Sequence, residues 1–214
     1  LCKLNRVLRE PKFGSRMNFA LVEIRDEASK MLHSFEYRDL RNVLENYLAN
    51  GFDITDNRIY KYLHHSQSQL KEKQFWFYYH DENCLSLEDA YVWMGSFSKE
   101  RVVAKHAARI ALCFTSTEAT ISIPAELVTY VRDIEVEKNG KIFTFTDGVG
   151  TISTTLRDEI QEFMQEKHAF SVIQIRYGGC KGTLSVDPRL DNKKHQLIIR
   201  DSMNKFITDH DILE

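Results

Sequence analysis

Six of the nine glycines in this chain of 214 residues fall between residues 140 and 182: Gly140, Gly148, Gly150, Gly178, Gly179 and Gly182. A residue without Cβ accepts positive φ and lets a second backbone come close. The clustering therefore calls for a tightly turned, β-rich unit in the later part of the chain. Asn139-Gly140 lies between strand-type segments 131–137 and 141–145 and is a two-residue hairpin signal. Residues 146–150, Thr-Asp-Gly-Val-Gly, are expected to be a turn that leads into a helix. That helix starts at Ser153 or Thr154 and aligns Leu156, Ile160, Phe163 and Met164 on one face. A lone Asp-Gly-Val-Gly lacks the further glycine and lysine of phosphate-cradling fingerprints, so Asp147 is expected to cap backbone. Strands are expected over 171–177, 183–187 and 196–200, with Asp187-Pro188 as a break.

The earlier part alternates helix and strand signals. Leu40, Val43, Leu44, Tyr47 and Leu48 follow helical spacing within 34–49, and Gly51 stands beyond as a stop. Segments 58–65 and 74–79 have strand composition, joined by a Ser-Gln-Ser-Gln stretch able to wind into a helical turn. The run Phe75-Trp76-Phe77-Tyr78-Tyr79 suits a strand buried on both faces, because a base-stacking platform spaces its rings on one face. Ser86 with Asp89 starts a helix through Met94 that Gly95 closes, and Ser98 is expected to cap another reaching Leu112. On that helix Arg101, Lys105 and Arg109 share a face, either solvated or in contact with an RNA backbone. The composition shift places a boundary near residue 130, giving an α+β chain with a mixed region over 1–130 and a β-rich unit over 131–214.

Lys+Arg of 29 against Asp+Glu of 31 means that any nucleic-acid role rests on a local basic surface. Cys2, Cys84, Cys113 and Cys180 form no Cys-x-x-Cys pair, so reduced thiols in an intracellular compartment, cytoplasm or nucleus, are expected. His64 and His65, taken as strand neighbours, would point to opposite faces and share no metal. No apolar run reaches the ~20 residues of a membrane helix, so no membrane partner is expected. The chain starts without Met and lacks tail composition at either end, which suggests a piece of a longer protein.

The basic candidate is segment 174–182, Gln-Ile-Arg-Tyr-Gly-Gly-Cys-Lys-Gly. Glycines give backbone approach, and Arg176 and Lys181 give counter-charge to phosphate. A hairpin whose cations face water satisfies the same residues.

Taken in order, six strings resemble the eukaryotic cellular RNA-dependent RNA polymerases of RNA silencing. They are Leu-Asn-Arg-Val-Leu-Arg at 4–9, Ser-Gln-Ser-Gln-Leu-Lys-Glu-Lys at 66–73 with the Phe-Trp-Phe strand, and 101–117 around Ala108-Arg109 and Cys113-Phe114-Thr115-Ser116-Thr117. They continue with Phe-Thr-Asp-Gly-Val-Gly-Thr-Ile-Ser at 145–153, segment 174–182, and Arg200 with Ser-Met-Asn-Lys-Phe at 202–206. The resemblance implies a two-barrel polymerase core, of which this chain is the preceding region plus a first double-psi β-barrel. It implies that Arg176, Lys181 and Lys205 are basic catalytic-centre residues that meet RNA and nucleotide, and Arg109 is a further RNA contact. Partners implied are a single-stranded RNA template, nucleoside triphosphates and the remaining polymerase domains, including the second barrel. Mg²⁺ would be held by an Asp-x-Asp-Gly-Asp string that does not occur here, so this segment alone is expected to be inactive. A non-catalytic RNA-binding remnant, or a protein-interaction domain, is the alternative. Asp209-His210-Asp211 is expected to be a solvated loop, and Asp201 stands where the family pattern has proline.

Overall fold

A computed structural model describes residues 4–31, 36–54 and 58–214; Cys2 and the expected helix start at Ser34 lie outside them. The chain divides into two compact units, residues 1–116 and 117–214.

In the first unit, Asn5 accepts from the Leu8 amide (3.0 Å) and so starts α1 (Arg6–Arg9). Strand β1 (Phe19–Glu23) precedes α2 (Glu36–Asn50), which Gly51 closes at φ +78°. Then come β2 (Phe52–Asp53), β3 (Ile59–His64), α3 (Gln67–Lys71) and β4 (Gln74–Tyr78). The four strands form an antiparallel sheet in the order β1-β4-β3-β2. Ser66 and Gln69 make a reciprocal capping box, so the Ser-Gln-Ser-Gln stretch does wind into a helix. Trp76, Phe77 and Tyr78 are buried in succession, and the aromatic run is therefore a core strand. Its rings meet others edge-on, as Phe13 meets Tyr78 at 5.3 Å between centroids.

Helix α4 (Leu87–Met94) starts on Ser86, whose Oγ accepts from the Asp89 amide (3.0 Å). The next helix departs from expectation: α5 spans Val103–Ile110 and Ser98 does not cap it. Glu100 explains the late start, since its Oε1 takes the Val102 amide (3.1 Å) and holds the preceding residues in a turn. Arg101 therefore lies outside the helix, and of the basic stripe only Lys105 and Arg109 remain on it.

The second unit contains β5 (Val128–Val131), β6 (Glu135–Lys138), β7 (Lys141–Thr144), β8 (Val149–Ile152), α6 (Thr154–Met164), β9 (Val172–Tyr177), β10 (Cys180–Val186) and β11 (Leu197–Arg200). Five strands form one mixed sheet, β5-β11-β8-β10-β9, in which β8 with β10 and β5 with β11 are parallel. The turn expected over 146–150 does not lead straight into the helix: residues 149–152 form strand β8 first, and Ser153 then caps α6 by accepting from Leu156 N (3.0 Å). Leu156 and Ile160 of α6 bury against Ile152, Ile175, Leu184, Leu197 and Ile199. This unit starts before residue 131 because the Thr120 and Ile123 amides donate to the Leu213 and Asp211 carbonyls (2.8 and 3.0 Å). Asp211 is pinned too, its Oδ2 accepting from Ser122 Oγ (2.6 Å), so 209–211, with Asp209 and Asp211 exposed and His210 half-buried, is a tethered segment rather than a solvated loop. Among the described residues no helix is long and apolar enough to cross a membrane.

His64 and His65 differ from the strand-neighbour expectation. Strand β3 ends at His64, the two rings come to 4.7 Å between centroids, and the Tyr62 hydroxyl reaches His65 Nδ1 at 2.7 Å. His64 is buried, and desolvation, aided by the neighbouring His65 and His106, pulls its pKa down to about 4 against a backbone contact at Ala107 that raises it. Between its ordinary 6.5 and this value the unfolded chain holds a proton that the folded chain does not. Stability from the neutral ring is thus complete above pH 6.5 and falls, by about 3 kcal/mol, as pH drops to 4. Both tryptophans, Trp76 and Trp93, lie in this unit, so their fluorescence follows it during urea unfolding. The urea midpoint is expected to fall between pH 7.5 and pH 5, and less steeply in His64→Phe; parallel pH profiles would refute the assignment to His64.

Candidate nucleic-acid interface

The sheet turns back on itself at Gly178-Gly179. Strand β10 already begins at Cys180, so the turn is shorter than the glycine count suggests and Lys181 sits on a strand. In the antiparallel register Arg176 of β9 stands directly opposite Lys181 of β10. Directly opposed residues share a face, so the sheet itself pairs the two cations. Their neighbours Tyr177 and Cys180, also opposite each other, point the other way and are buried in the core.

Lys205 arrives from a different direction. After β11, a 3-10 turn (Asp201–Met203) leads into a segment that crosses the hairpin end: Cys180 bridges Asn204, and the Lys205 amide donates to the Gly179 carbonyl (3.0 Å). A lysine 24 positions along the chain from Lys181 (205 − 181) is thereby tied to the same turn. Its Nζ donates to the Ser202 carbonyl, and its charge is felt at Cys180. Burial pushes that thiol up to about 11 while Lys205 pulls it down, so Cys180 is a protonated core residue.

The glycines make the crossing possible. A Cβ at Gly179 would collide with the Phe206 carbonyl, and one at Gly182 with the Gly148 carbonyl. Gly182 therefore brings the 146–150 turn alongside β10, where the Thr183 amide donates to the Gly148 carbonyl (2.8 Å).

A carboxylate that sequence reasoning did not select organises this end of the unit. Asp133 accepts from the Ser202 amide and hydroxyl (both 2.8 Å) and from Thr146 Oγ1 (2.9 Å). Ser202 Oγ accepts in turn from the Gly148 amide (2.9 Å), and Arg200 Nη1 donates to the Arg132 carbonyl (2.9 Å). Partial burial pushes the Asp133 carboxyl up, but the Ser202 and Thr146 hydrogen bonds and the Arg200 charge outweigh it and leave the pKa lowered. The capping role expected of Asp147 thus falls to Asp133, while Asp147 is exposed. The one available signal was the polar pair Thr146 and Ser202 in two separate strings, which need a common acceptor once folded. Asp201, in the place of the pattern's proline, still forms the turn: its carbonyl accepts from the Asn204 amide (3.1 Å).

Arg176 is half-buried, its amide donating to the Glu214 carbonyl (2.6 Å) and its guanidinium to the Ile175 carbonyl (2.9 Å). Lys181 is exposed and Lys205 half-buried. Arg109, half-buried in the last turn of α5, belongs to the first unit. Among the described residues no group of three His, Cys, Asp or Glu side chains is placed to hold a metal ion. The second unit thus brings Arg176, Lys181 and the Lys205 backbone to one turn, and such cations are suited to phosphate.

The family model described as RNA dependent RNA polymerase matches residues 1–214. The chain is 41% identical over 170 residues to RNA-dependent RNA polymerase 6 of Arabidopsis thaliana, covering 78% of this chain and 14% of that protein. It is 32% identical over 222 residues to RNA-dependent RNA polymerase 1 of Schizosaccharomyces pombe, covering 98% and 17%. Among solved structures, the RNA dependent RNA polymerase QDE-1 from Thielavia terrestris superposes with a TM-score of 0.78 at 17% identity, covering 98% of this chain and 24% of that one. The chain belongs to the RNA-dependent RNA polymerase family. It spans between about a seventh and a quarter of the relatives it matches.

Gly179→Ala is expected to cost about 2 kcal/mol, because the crossing backbone of Phe206 must shift. Gly140→Ala meets open space and pays only for its φ of +71°, about 1 kcal/mol. Calorimetric melting of the two variants checks this ranking; equal losses would mean that the crossing is not closed.

Proposed function

We propose that this chain is the part of an RNA-directed RNA polymerase that brings basic side chains to the RNA and the incoming nucleotide, in a protein that copies single-stranded RNA during gene silencing. The observation that carries it is the convergence of Arg176, Lys181 and Lys205 on one hairpin end in a chain whose whole length matches the polymerase family. In this reading the second unit is the first double-psi β-barrel of the core. Its mixed sheet, with parallel strand pairs and glycine-lined crossings, supports that topology.

Phosphoryl transfer spreads negative charge over the transferred group and the leaving oxygen, so fixed cations nearby lower the barrier without having to reorganise. The backbones of Lys181 and Arg176 are held by opposed strands, and that of Lys205 by the hydrogen bond its amide donates to the Gly179 carbonyl. Each charge is therefore set by backbone geometry, which keeps the ordering cost of phosphate binding low. Arg109 serves as a separate RNA-backbone contact on the first unit. Mg²⁺ would supply Lewis-acid chemistry in such an enzyme, and in this reading its carboxylate ligands would come from elsewhere in the full protein.

Filter binding of single-stranded RNA to residues 1–214 tests the reading. Arg176, Lys181 and Lys205 together should contribute about −2 to the slope of log affinity against log salt, and Lys181→Ala or Lys205→Ala should each flatten the slope by about 0.7. Unchanged affinity and slope in both variants would remove the cations from the interface.

A further inference from the structure

Strands β6 and β7 differ from the rest of the second unit in that every residue of both is exposed. The turn between them is a tight one, Asn139 at φ 54° and Gly140 at φ 71°, which suits the twist of a two-residue hairpin and holds it rigid. Val136 stands opposite Phe143 and Lys138 opposite Lys141; the intervening pairs are Glu135 with Thr144 and Glu137 with Ile142. The Phe145 amide donates to the Ile134 carbonyl (2.9 Å) and carries the ladder one step further.

Alternation along a strand sorts these side chains. One face holds Phe143 and Phe145 at successive same-side positions, with Ile134 and Val136 beside them and Lys138 and Lys141 at the tip. The other holds both carboxylates, Glu135 and Glu137, with Ile142 and Thr144; Thr144 Oγ1 donates to Glu135 Oε1 (3.3 Å), which confirms that pairing. Phe143 and Phe145 are 47% and 70% exposed, and with Ile134 and Val136 on the same face they form a contiguous apolar patch of the kind that marks an interaction site. An apolar protein surface would be indifferent to where the charges lie. Here cations accompany the rings and carboxylates are confined to the opposite face, which is the complement of a strand with apolar base faces and anionic phosphates.

We propose that this hairpin face is a platform for single-stranded RNA, with bases stacked on Phe143 and Phe145 and phosphates met by Lys138 and Lys141. It adds a second RNA contact to the function proposed above and rests on the chain handling RNA. Side chains two apart on a strand project the same way, so neighbouring bases of an extended strand can lie on successive rings. Stacking on any base face is sequence-tolerant, as a template contact must be.

The test uses residues 1–214 and a single-stranded RNA carrying 2-aminopurine, whose emission is quenched on stacking. The native chain should quench it; Phe143→Leu with Phe145→Leu keeps apolar bulk, and should abolish quenching and weaken binding about five-fold or more per ring. Lys138→Ala with Lys141→Ala should keep quenching at saturation and flatten the salt slope by about 1.4. Unchanged quenching and affinity in the double leucine variant would overturn the proposal and leave the face to a protein partner. If that variant is unchanged while Lys181→Ala binds weakly, the platform fails and the phosphate site stands. The reverse pattern would keep the platform and remove the phosphate site, and unchanged binding in every variant would remove both.

Discussion

The second unit depends on one backbone crossing, where the 204–206 segment lies over the Gly178-Gly179 turn. Cys180 bridges Asn204, the Lys205 amide donates to the Gly179 carbonyl, and a side chain at Gly179 would push the Phe206 carbonyl away. Each of these contacts requires the others, since the hydrogen bond forms only if the turn carries no Cβ. From this closure follow the burial of Cys180 and Met203 and the tie of the Lys205 backbone to the turn that precedes Lys181. The Asp133 network acts at the neighbouring crossing, joining Ser202, Thr146 and the Gly148 amide. Partly buried polar groups satisfied in this way favour one arrangement of three segments, where apolar contacts alone would tolerate several.

Elements whose signals are local were legible in the sequence. Ser86 with Asp89 and Gly95 bracket α4, Asn139-Gly140 makes the hairpin, and Leu156 and Ile160 turn α6 toward the core. Where a tertiary partner decides the backbone, legibility failed. Residues 149–152 extend as β8 because β10 and β11 lie on either side of them; α5 starts late for a local reason, Glu100 taking the Val102 amide. The candidate cations divide in the same way. Arg176 and Lys181 announce themselves by composition, whereas Lys205 had only its place in an ordered series of strings. Asp133 carried only the indirect signal of Thr146 and Ser202, because its partner Ser202 is 69 residues away.

The aromatic residues carry a related lesson. The centre of the run at 75–79, Trp76 to Tyr78, and the pair Phe143 and Phe145 are both strand-type aromatics, yet the first is core and the second is exposed. Spacing separates them: an unbroken run must bury both faces, while rings two apart leave one face free to meet a ligand.

A double-mutant cycle of Lys181→Ala and Lys205→Ala in single-stranded RNA affinity asks most directly whether the crossing builds one phosphate site from two distant lysines. If it does, the double variant loses less than the sum of the single losses, with a coupling of at least about 0.5 kcal/mol. Strictly additive losses would mean that the two lysines act at separate places and that the crossing serves stability alone.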